Sequence, residues 1–116
     1  MAITKEQVIS ATGSGLDKLV ALALGHKAKI TEFGCEIIDW NKVGTKVNGY
    51  RFEPHKDGTQ CMEIMEQEKI ACFIVFCIDG TKWETRIRNI GARGDTAMIA
   101  ICRCFVLSKL EVINGN

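Results

Sequence analysis

The sequence predicts an α/β (α+β) fold, a three-layer α/β/α sandwich in which helices cover both faces of a small, mostly antiparallel sheet with a central hairpin. Residues 70–78 are apolar without a polar face, which is typical of a strand buried on both sides. Residues 96–110 are apolar almost all the way round, which indicates a helix inside a core or at a subunit contact. With 116 residues, the chain is expected to form one globular domain, 1–116.

The first element is a predicted N-terminal helix. The segment from Thr4 to Gln7 has the pattern of a capping box, and an apolar face then continues to Gly25. The pattern is poor in residues 26–49, so we expect loop or edge structure there, with a short strand at residues 35–40.

The next elements are an extended segment and a second helix. Residues 50–53 are expected to be extended and to stop at Pro54, the only proline. Asp57 or Thr59 can then cap a short amphipathic helix that reaches Glu68.

The last third of the chain reads as a hairpin, a bend and a helix. Asp79 and Gly80 suit a tight turn between the apolar strand and an alternating strand at residues 83–88. A glycine-rich bend at residues 91–94 then leads into the final helix, 96–110.

Composition limits the classes of function. The formal net charge is +1, with 47% hydrophobic and 25% charged residues, which gives no field to attract nucleic acid. No window approaches the roughly 20 apolar residues of a membrane span, and the N-terminus lacks the pattern of a signal peptide. We therefore expect a cytoplasmic protein that binds neither a membrane nor a specific nucleic acid.

The six cysteines do not indicate disulfides or a metal site. Cys72, Cys77, Cys102 and Cys104 lie in apolar runs, where a thiol behaves as a small hydrophobic group. On a helix, Cys102 and Cys104 point about 200° apart, which is unsuitable for binding one zinc ion. We expect buried free thiols, with no metal and no cofactor.

Four segments resemble those of a known family. They are residues 16–21 in the opening helix, residues 54–59 before the second helix, the hairpin with Trp83, and the closing block 95–103. In these segments the chain resembles the phage ABA sandwich domain family, small proteins of tailed phages and prophages. The resemblance implies an α/β/α sandwich and a phage origin, and the family as a whole has no settled biochemical activity.

One candidate binding site is the glycine-rich bend at residues 91–94. Its backbone N–H groups can converge on a phosphate at the entry to the last helix, and Arg93 can add a bidentate contact. The alternative interpretation is turn chemistry alone, with Asp95 in the capping position.

A second candidate is the segment that interleaves aromatic and cationic residues before the second helix. Tyr50, Arg51, His55 and Lys56 can stack on a base and contact phosphate, and Trp40 can add a further stacking ring. The alternatives are an edge strand with basic residues in water and a tryptophan that anchors the core.

Two further arginines call for an explanation. Arg86 shares one face of its strand with Glu84 and Arg88, and a buried Arg86 would need a carboxylate or an anionic ligand. Arg103 lies among apolar residues of the last helix, so it marks either the outer stripe of that helix or a subunit interface.

No catalytic motif is present, so we expect a binding protein and not an enzyme. The predicted function is that of a phage anti-defence protein, a homo-oligomer that sequesters a nucleotide-derived host immune signal, of ADP-ribose or cyclic type, without hydrolysing it. The alternative is a protein-binding inhibitor of a host defence complex, such as a CRISPR effector or a restriction system. A third possibility is a structural or regulatory partner within the phage. The predicted ligand-binding residues are Trp40, Tyr50, Arg51, His55, Lys56, Arg86 and Arg93.

Overall fold

The computed structural model of the chain describes residues 2–38, 50–77 and 80–115. The helices are α1 Lys5–Ser10, α2 Gly13–Ala23, α3 Gly58–Glu68, α4 Ala97–Ser108 and α5 Leu110–Ile113. The strands are β1 Ala28–Thr31, β2 Gly34–Ile37, β3 Tyr50–Arg51, β4 Ala71–Cys77, β5 Gly80–Ile87 and β6 Ile90–Gly94. Within the described residues, the strands form two antiparallel sheets, ordered β1-β2-β3 and β4-β5-β6. The predicted α+β class is therefore confirmed.

The N-terminal segment begins with the predicted capping box. The Thr4 hydroxyl accepts a hydrogen bond from the Gln7 backbone N at 3.2 Å, and the Gln7 side chain accepts one from the Thr4 backbone N at 2.8 Å. The single helix predicted to continue to Gly25 is wrong. Ala11 and Thr12 are extended, with ψ of 140° and 166°, and they separate α1 from α2.

The first sheet lies in a region whose sequence pattern is weak. The predicted strand 35–40 coincides with β2 at residues 35–37, and its end from residue 39 lies outside the described residues. Residues 26–49 were expected to be loop or edge structure, and β1 is indeed an edge strand, which pairs with all four residues of β2. Gly34 makes the tight connection possible because its φ of 116° is one that side chains rarely allow.

The second predicted helix is confirmed. Asp57 caps α3 and accepts a hydrogen bond from the Gln60 backbone N at 3.0 Å. The helix ends at Lys69, whose left-handed φ of 56° redirects the chain into β4.

The predicted hairpin is confirmed, since every residue of β4 pairs with β5, from Ala71↔Arg86 to Cys77↔Gly80. The predicted turn residue Asp79 lies outside the described residues. The predicted glycine-rich bend at residues 91–94 is wrong, because these residues form β6 and pair with β5. The cause is a two-residue turn at Arg88 and Asn89, in which Arg88 takes a φ of 54° and returns the chain directly along β5.

The last helix, α4, lies at the centre of the core. The Thr96 hydroxyl caps it by accepting a hydrogen bond from the Ile99 backbone N at 3.2 Å. The helix contacts all three strands of the second sheet and also α1, α2 and α3. Its buried residues are Ala100, Ile101, Cys102, Cys104, Phe105 and Val106. Of the two alternatives predicted for this apolar helix, a core element or a subunit contact, the structure shows a core element.

The cysteines of this core are free thiols. Cys102 and Cys104 are buried, as predicted, and Cys72 of β4 is half-buried. Burial raises the pKa of the Cys104 thiol, which keeps it protonated at neutral pH. The side chain of the fourth predicted thiol, Cys77, lies outside the described part of the molecule.

The second sheet has one face against helices and one face open among the described residues. On the inner face, the buried Thr85 donates its hydroxyl to the carbonyl of Ala100 in α4 at 2.7 Å. The outer face carries Glu84, Arg86 and Arg93, and both arginines are exposed. Among the described residues, no helix covers this outer face, so the sheet lacks the second helical layer of the predicted sandwich. The physical reason is that the charged side chains on this face are more stable in contact with water than under an apolar helix.

Gly94 marks the closest approach of β6 to α4. A Cβ atom at this position would lie 2.8 Å from the backbone N of Ala100 and 2.8 Å from Cγ2 of Ile99. Gly94→Ala is therefore expected to lower the free energy of unfolding by about 1 to 3 kcal/mol. Urea denaturation followed by circular dichroism measures the loss. The control is Gly58→Ala, whose Cβ would meet nothing within 4 Å and should leave stability near that of the wild type. A Gly94→Ala variant as stable as the wild type would contradict this packing.

Candidate anion-binding site

Charged side chains gather on the outer face of the second sheet. Strand register places Glu84 of β5 directly between Phe73 of β4 and Arg93 of β6. Residues paired across an antiparallel sheet share a face, so these three side chains lie in one row. Arg86 lies in the next row on the same face, between Ala71 of β4 and Gly91 of β6. Two arginines, one carboxylate and one aromatic ring thus occupy adjacent positions.

Glu84 holds the two arginines in place. Its Oε2 accepts a hydrogen bond from Nε of Arg86 at 3.2 Å, and its Oε1 accepts one from Nε of Arg93 at 2.8 Å. The Glu84 side chain is nearly buried, whereas more than half of each arginine side chain is exposed. The hydrogen bond from Arg93 and the two positive charges lower the pKa of Glu84. Glu84 is therefore ionised at neutral pH and orients both guanidinium groups at the surface.

A third arginine reaches the same place from α4. Arg103 donates from Nε and Nη2 to the carbonyl of Ala11, at 3.1 and 3.0 Å, and from Nη1 to the carbonyl of Arg93, at 2.8 Å. Arg103 was predicted to lie on an outer stripe of the helix or at a subunit interface, but it joins α4 to β6 and to the end of α1. Partial burial lowers the pKa of Arg103, and the guanidinium stays charged at neutral pH because an arginine loses its proton only in strong base.

These residues line a depression of about 480 Å³. We call its charged lining, Glu84, Arg86, Arg93 and Arg103, the arginine pocket. Three positive charges face one negative charge, so the pocket has a net positive charge. Its volume lies in the range of small-molecule sites, about 300 to 1,000 Å³. The pocket therefore has the size and charge for a small anion that carries phosphate.

The glycines of β6 contribute differently from what the sequence indicates. The predicted phosphate seat of converging N–H groups at residues 91–94 is wrong, because this backbone is extended and paired with β5. Gly91 instead leaves room for Arg86, since a Cβ there would lie 3.4 Å from Cζ and Nη1 of that arginine. Arg93 remains at the site through its side chain.

The ion pairs of Glu84 predict a dependence on pH. Because the pKa of Glu84 is lowered in the folded state, its pairing contributes stability above the ordinary value of 4.5, and this contribution is lost as the pH falls through the lowered pKa. We expect the wild type to be more stable than Glu84→Gln at pH 7, and the difference to vanish in acid. Urea denaturation of both proteins between about pH 7 and pH 3 measures this difference. A difference that is constant over this range would show that the carboxylate charge is not the cause.

The other predicted ligand residues lie away from the arginine pocket. Arg51 is exposed in β3, and Lys56 is exposed and lies 3.5 Å from Glu53 in an ion pair. Neither residue lines the pocket. Tyr50 is described through its backbone in β3, and Trp40 lies outside the described residues. The stacking and phosphate contacts predicted for these residues stay predictions.

His55 has a buried partner that was not predicted from the sequence. Asp17 of α2 is only 1% exposed, and it accepts a hydrogen bond from the His55 backbone N at 3.1 Å. Its Oδ2 also lies 2.6 Å from Nδ1 of His55. Burial raises the pKa of Asp17, and the contacts with His55 act in the opposite direction. The pair fixes the segment before α3 on α2. A signal was available in the sequence, because Asp17 falls on the apolar face of its helix.

A metal site and a membrane span are not indicated in the described part of the chain. There, no group of three or more His, Cys, Asp or Glu residues is arranged to hold a metal ion. Among the same residues, no helix is both long enough and apolar enough to cross a membrane.

Comparison with known families supplies the identity of the chain. Residues 8–109, which include the whole arginine pocket, match the family described as Bacteriophage P22, NinX. The chain belongs to the NinX family. A search of curated proteins finds no match.

Membership of the NinX family makes this chain a phage accessory protein. The phage origin implied by the sequence resemblance is thereby confirmed, but the narrower assignment to the phage ABA sandwich domain family is not. The family description names no activity.

Proposed function

We propose that this NinX protein counters host defence by binding a nucleotide-derived immune signal, of ADP-ribose or cyclic-nucleotide type, and sequestering it without hydrolysis. The observation that supports this most is the convergence of Arg86, Arg93 and Arg103 on one pocket. Guanidinium groups bind phosphate through paired, charge-assisted hydrogen bonds, which are among the stronger polar contacts in proteins. The chain as a whole is almost neutral, with a formal net charge of +1, so the positive charge of this pocket is a local feature that favours phosphate binding there.

The geometry of Glu84 favours a prepared site. Glu84 accepts hydrogen bonds from Nε of Arg86 and from Nε of Arg93. In each guanidinium group, Nε carries one of the five N–H donors. The planes of both groups are thus fixed before a ligand arrives, and the four N–H donors on the Nη atoms of Arg86 are available for phosphate oxygens. Such preorganisation reduces the entropy lost on binding.

A surface for the base lies in the same row. Phe73 is 42% exposed and is paired with Glu84 across the sheet. An aromatic ring beside arginines is the combination that single bases and nucleotides bind, through stacking and phosphate contacts. We therefore assign the base of the ligand to Phe73 and its phosphates to the arginines.

The residues of the pocket support binding without hydrolysis. A hydrolytic site needs a general base whose pKa lies near the working pH. Glu84 is the carboxylate in the described lining, and its lowered pKa and its two arginine partners make it a poor base. The expected product of binding is the unchanged ligand.

Isothermal titration calorimetry tests the proposal with adenosine diphosphate ribose and with a cyclic dinucleotide. We expect one site per chain for one of these compounds, with a Kd of about 10 µM or tighter. Binding should weaken with added salt because it depends on exposed charges. ³¹P NMR of the same mixture should show intact ligand. No binding of either compound at tens of micromolar, or the appearance of hydrolysis products, would contradict the proposal.

A second candidate function is inhibition of a host defence complex, such as a CRISPR effector or a restriction system, by direct protein binding. The observation that favours it is the apolar surface at the β1–β2 hairpin, where Phe33 is 63% exposed and Ile30 and Ile38 are also exposed. Exposed apolar groups of this kind often mark contacts with other proteins. Phe33→Ser should then abolish capture of the complex in a pull-down and leave nucleotide binding unchanged. Both candidates place the protein in the cytoplasm of the host cell.

A further inference from the structure

β4 forms an open edge of the second sheet. It pairs with β5 on one side, and no described strand pairs with its other side. The opposite edge of this sheet is β6, where the backbone carbonyl of Arg93 accepts a hydrogen bond from the Arg103 side chain. Among the described residues, β4 is therefore an edge strand whose outer side has no strand partner.

β4 also lacks the features that normally protect an edge strand. Charged side chains, proline and bulges discourage the addition of another strand. The seven residues of β4 contain no charge and no proline, and their register with β5 is continuous. By contrast, the edge strand β1 of the first sheet has only four residues and carries Lys29.

Apolar side chains are exposed on both faces of β4. Phe73 is 42% exposed on the outer face, and Ile74 is 48% exposed on the inner face, opposite Trp83. A helix packed on the sheet would cover one face only. An added strand covers part of both faces, because its own side chains alternate between them. The distribution of exposed apolar surface therefore favours strand addition.

We infer that β4 pairs antiparallel with β4 of a second copy of the chain, about a two-fold axis at Ile74. A strand without charges meets its own copy without like-charge repulsion, and antiparallel pairing makes the contact self-complementary. Ile74 then lies opposite Ile74 of the partner subunit. The two sheets become one sheet of six strands, and the arginine pockets of both subunits lie on the same face. This inference does not depend on the proposed ligand.

Sedimentation velocity of the purified full chain, at protein concentrations from about 1 to about 100 µM, tests this inference. A dimer in equilibrium with monomer gives a sedimentation coefficient that rises with concentration. We expect the wild type to dimerise. Ile74→Lys should weaken the dimer at least about tenfold, because two lysines would lie directly opposite each other. The matched control is Ile30→Lys, an exposed isoleucine on the edge strand β1, which should dimerise like the wild type.

Circular dichroism verifies that each variant is folded, and Phe73→Ser is a second variant of β4 that should also weaken the dimer. Hydrogen exchange should show β4 amides that are protected in the wild type and exchange faster in Ile74→Lys. A wild type that is monomeric at about 100 µM would overturn the inference. A dimer unchanged by Ile74→Lys, or a monomer that pairs β4 with a foreign peptide, would overturn it as well.

Discussion

Replacing Arg86 and Arg93 together by alanine is expected to weaken nucleotide binding by about 100-fold or more. Each charge-assisted hydrogen-bonding group contributes about 1.5 to 3 kcal/mol, and two such groups account for at least two orders of magnitude in Kd. Glu84 holds both guanidinium groups at the pocket in the wild type. The double variant lacks both groups, so both phosphate contacts are lost. Isothermal titration calorimetry with the nucleotide that binds the wild type measures the effect.

The matched control for this variant is Arg88→Asn. Arg88 is an exposed arginine two residues beyond Arg86, and it does not line the arginine pocket. Asparagine tolerates the left-handed backbone of this position, where φ is 54°. The control should bind like the wild type. If the double variant loses its fold, adding Glu84→Gln removes the carboxylate left without partners. Unchanged binding in a folded double variant would exclude the arginine pocket as the site.

Asp17→Ala is expected to destabilise the fold by about 2 to 4 kcal/mol, the largest effect of a single substitution that we predict. Removing one partner of a buried hydrogen-bonded pair leaves the remaining polar groups without compensation, at a cost of about 1 to 3 kcal/mol for each group. Here the change removes the acceptor of the His55 backbone N–H and the partner of Nδ1. It also leaves a cavity on α2. Urea denaturation monitored by circular dichroism measures the change in the free energy of unfolding.

Two further variants separate the causes. Asp17→Asn retains an oxygen that can accept the His55 N–H, so it should be less destabilising than Asp17→Ala. Asp95→Ala removes an aspartate whose side chain is exposed and paired with Lys82, and its cost should be much smaller than that of Asp17→Ala because exposed ion pairs contribute little to stability. Equal losses for Asp17→Ala and Asp95→Ala would contradict the structural role assigned to the buried pair.

Much of the fold was predictable because its signals are local. The hydroxyl of Thr4 and the carboxylate of Asp57 cap their helices through hydrogen bonds three residues away. The first cap was predicted, and Asp57 was one of the two residues predicted for the second. The hairpin followed from an apolar run and an alternating run. β6 was not predicted for two reasons. The turn before it is made by Arg88, and arginine seldom has a positive φ. The sequence of β6 itself is rich in glycine, which is more typical of a bend.

The candidate site was predicted only in part. Arg86 and Arg93 were identified from their types and their places on the strand and the bend. Their convergence with Arg103 depends on the packing of α4 against β6, which spacing along the chain does not reveal. Asp17 and His55 are 38 residues apart, so their pairing depends on the contact between α2 and the segment before α3.

Native mass spectrometry tests the central claim, sequestration of a nucleotide signal, most directly. The full chain is expressed in cells with an active nucleotide-signalling defence, purified and weighed intact, and the small molecules released on denaturation are then identified. We expect an unmodified nucleotide, with one molecule per arginine pocket, and its absence from the Arg86→Ala, Arg93→Ala variant. A wild-type protein that carries no small molecule, above all one that carries a host polypeptide instead, would contradict sequestration of a nucleotide signal.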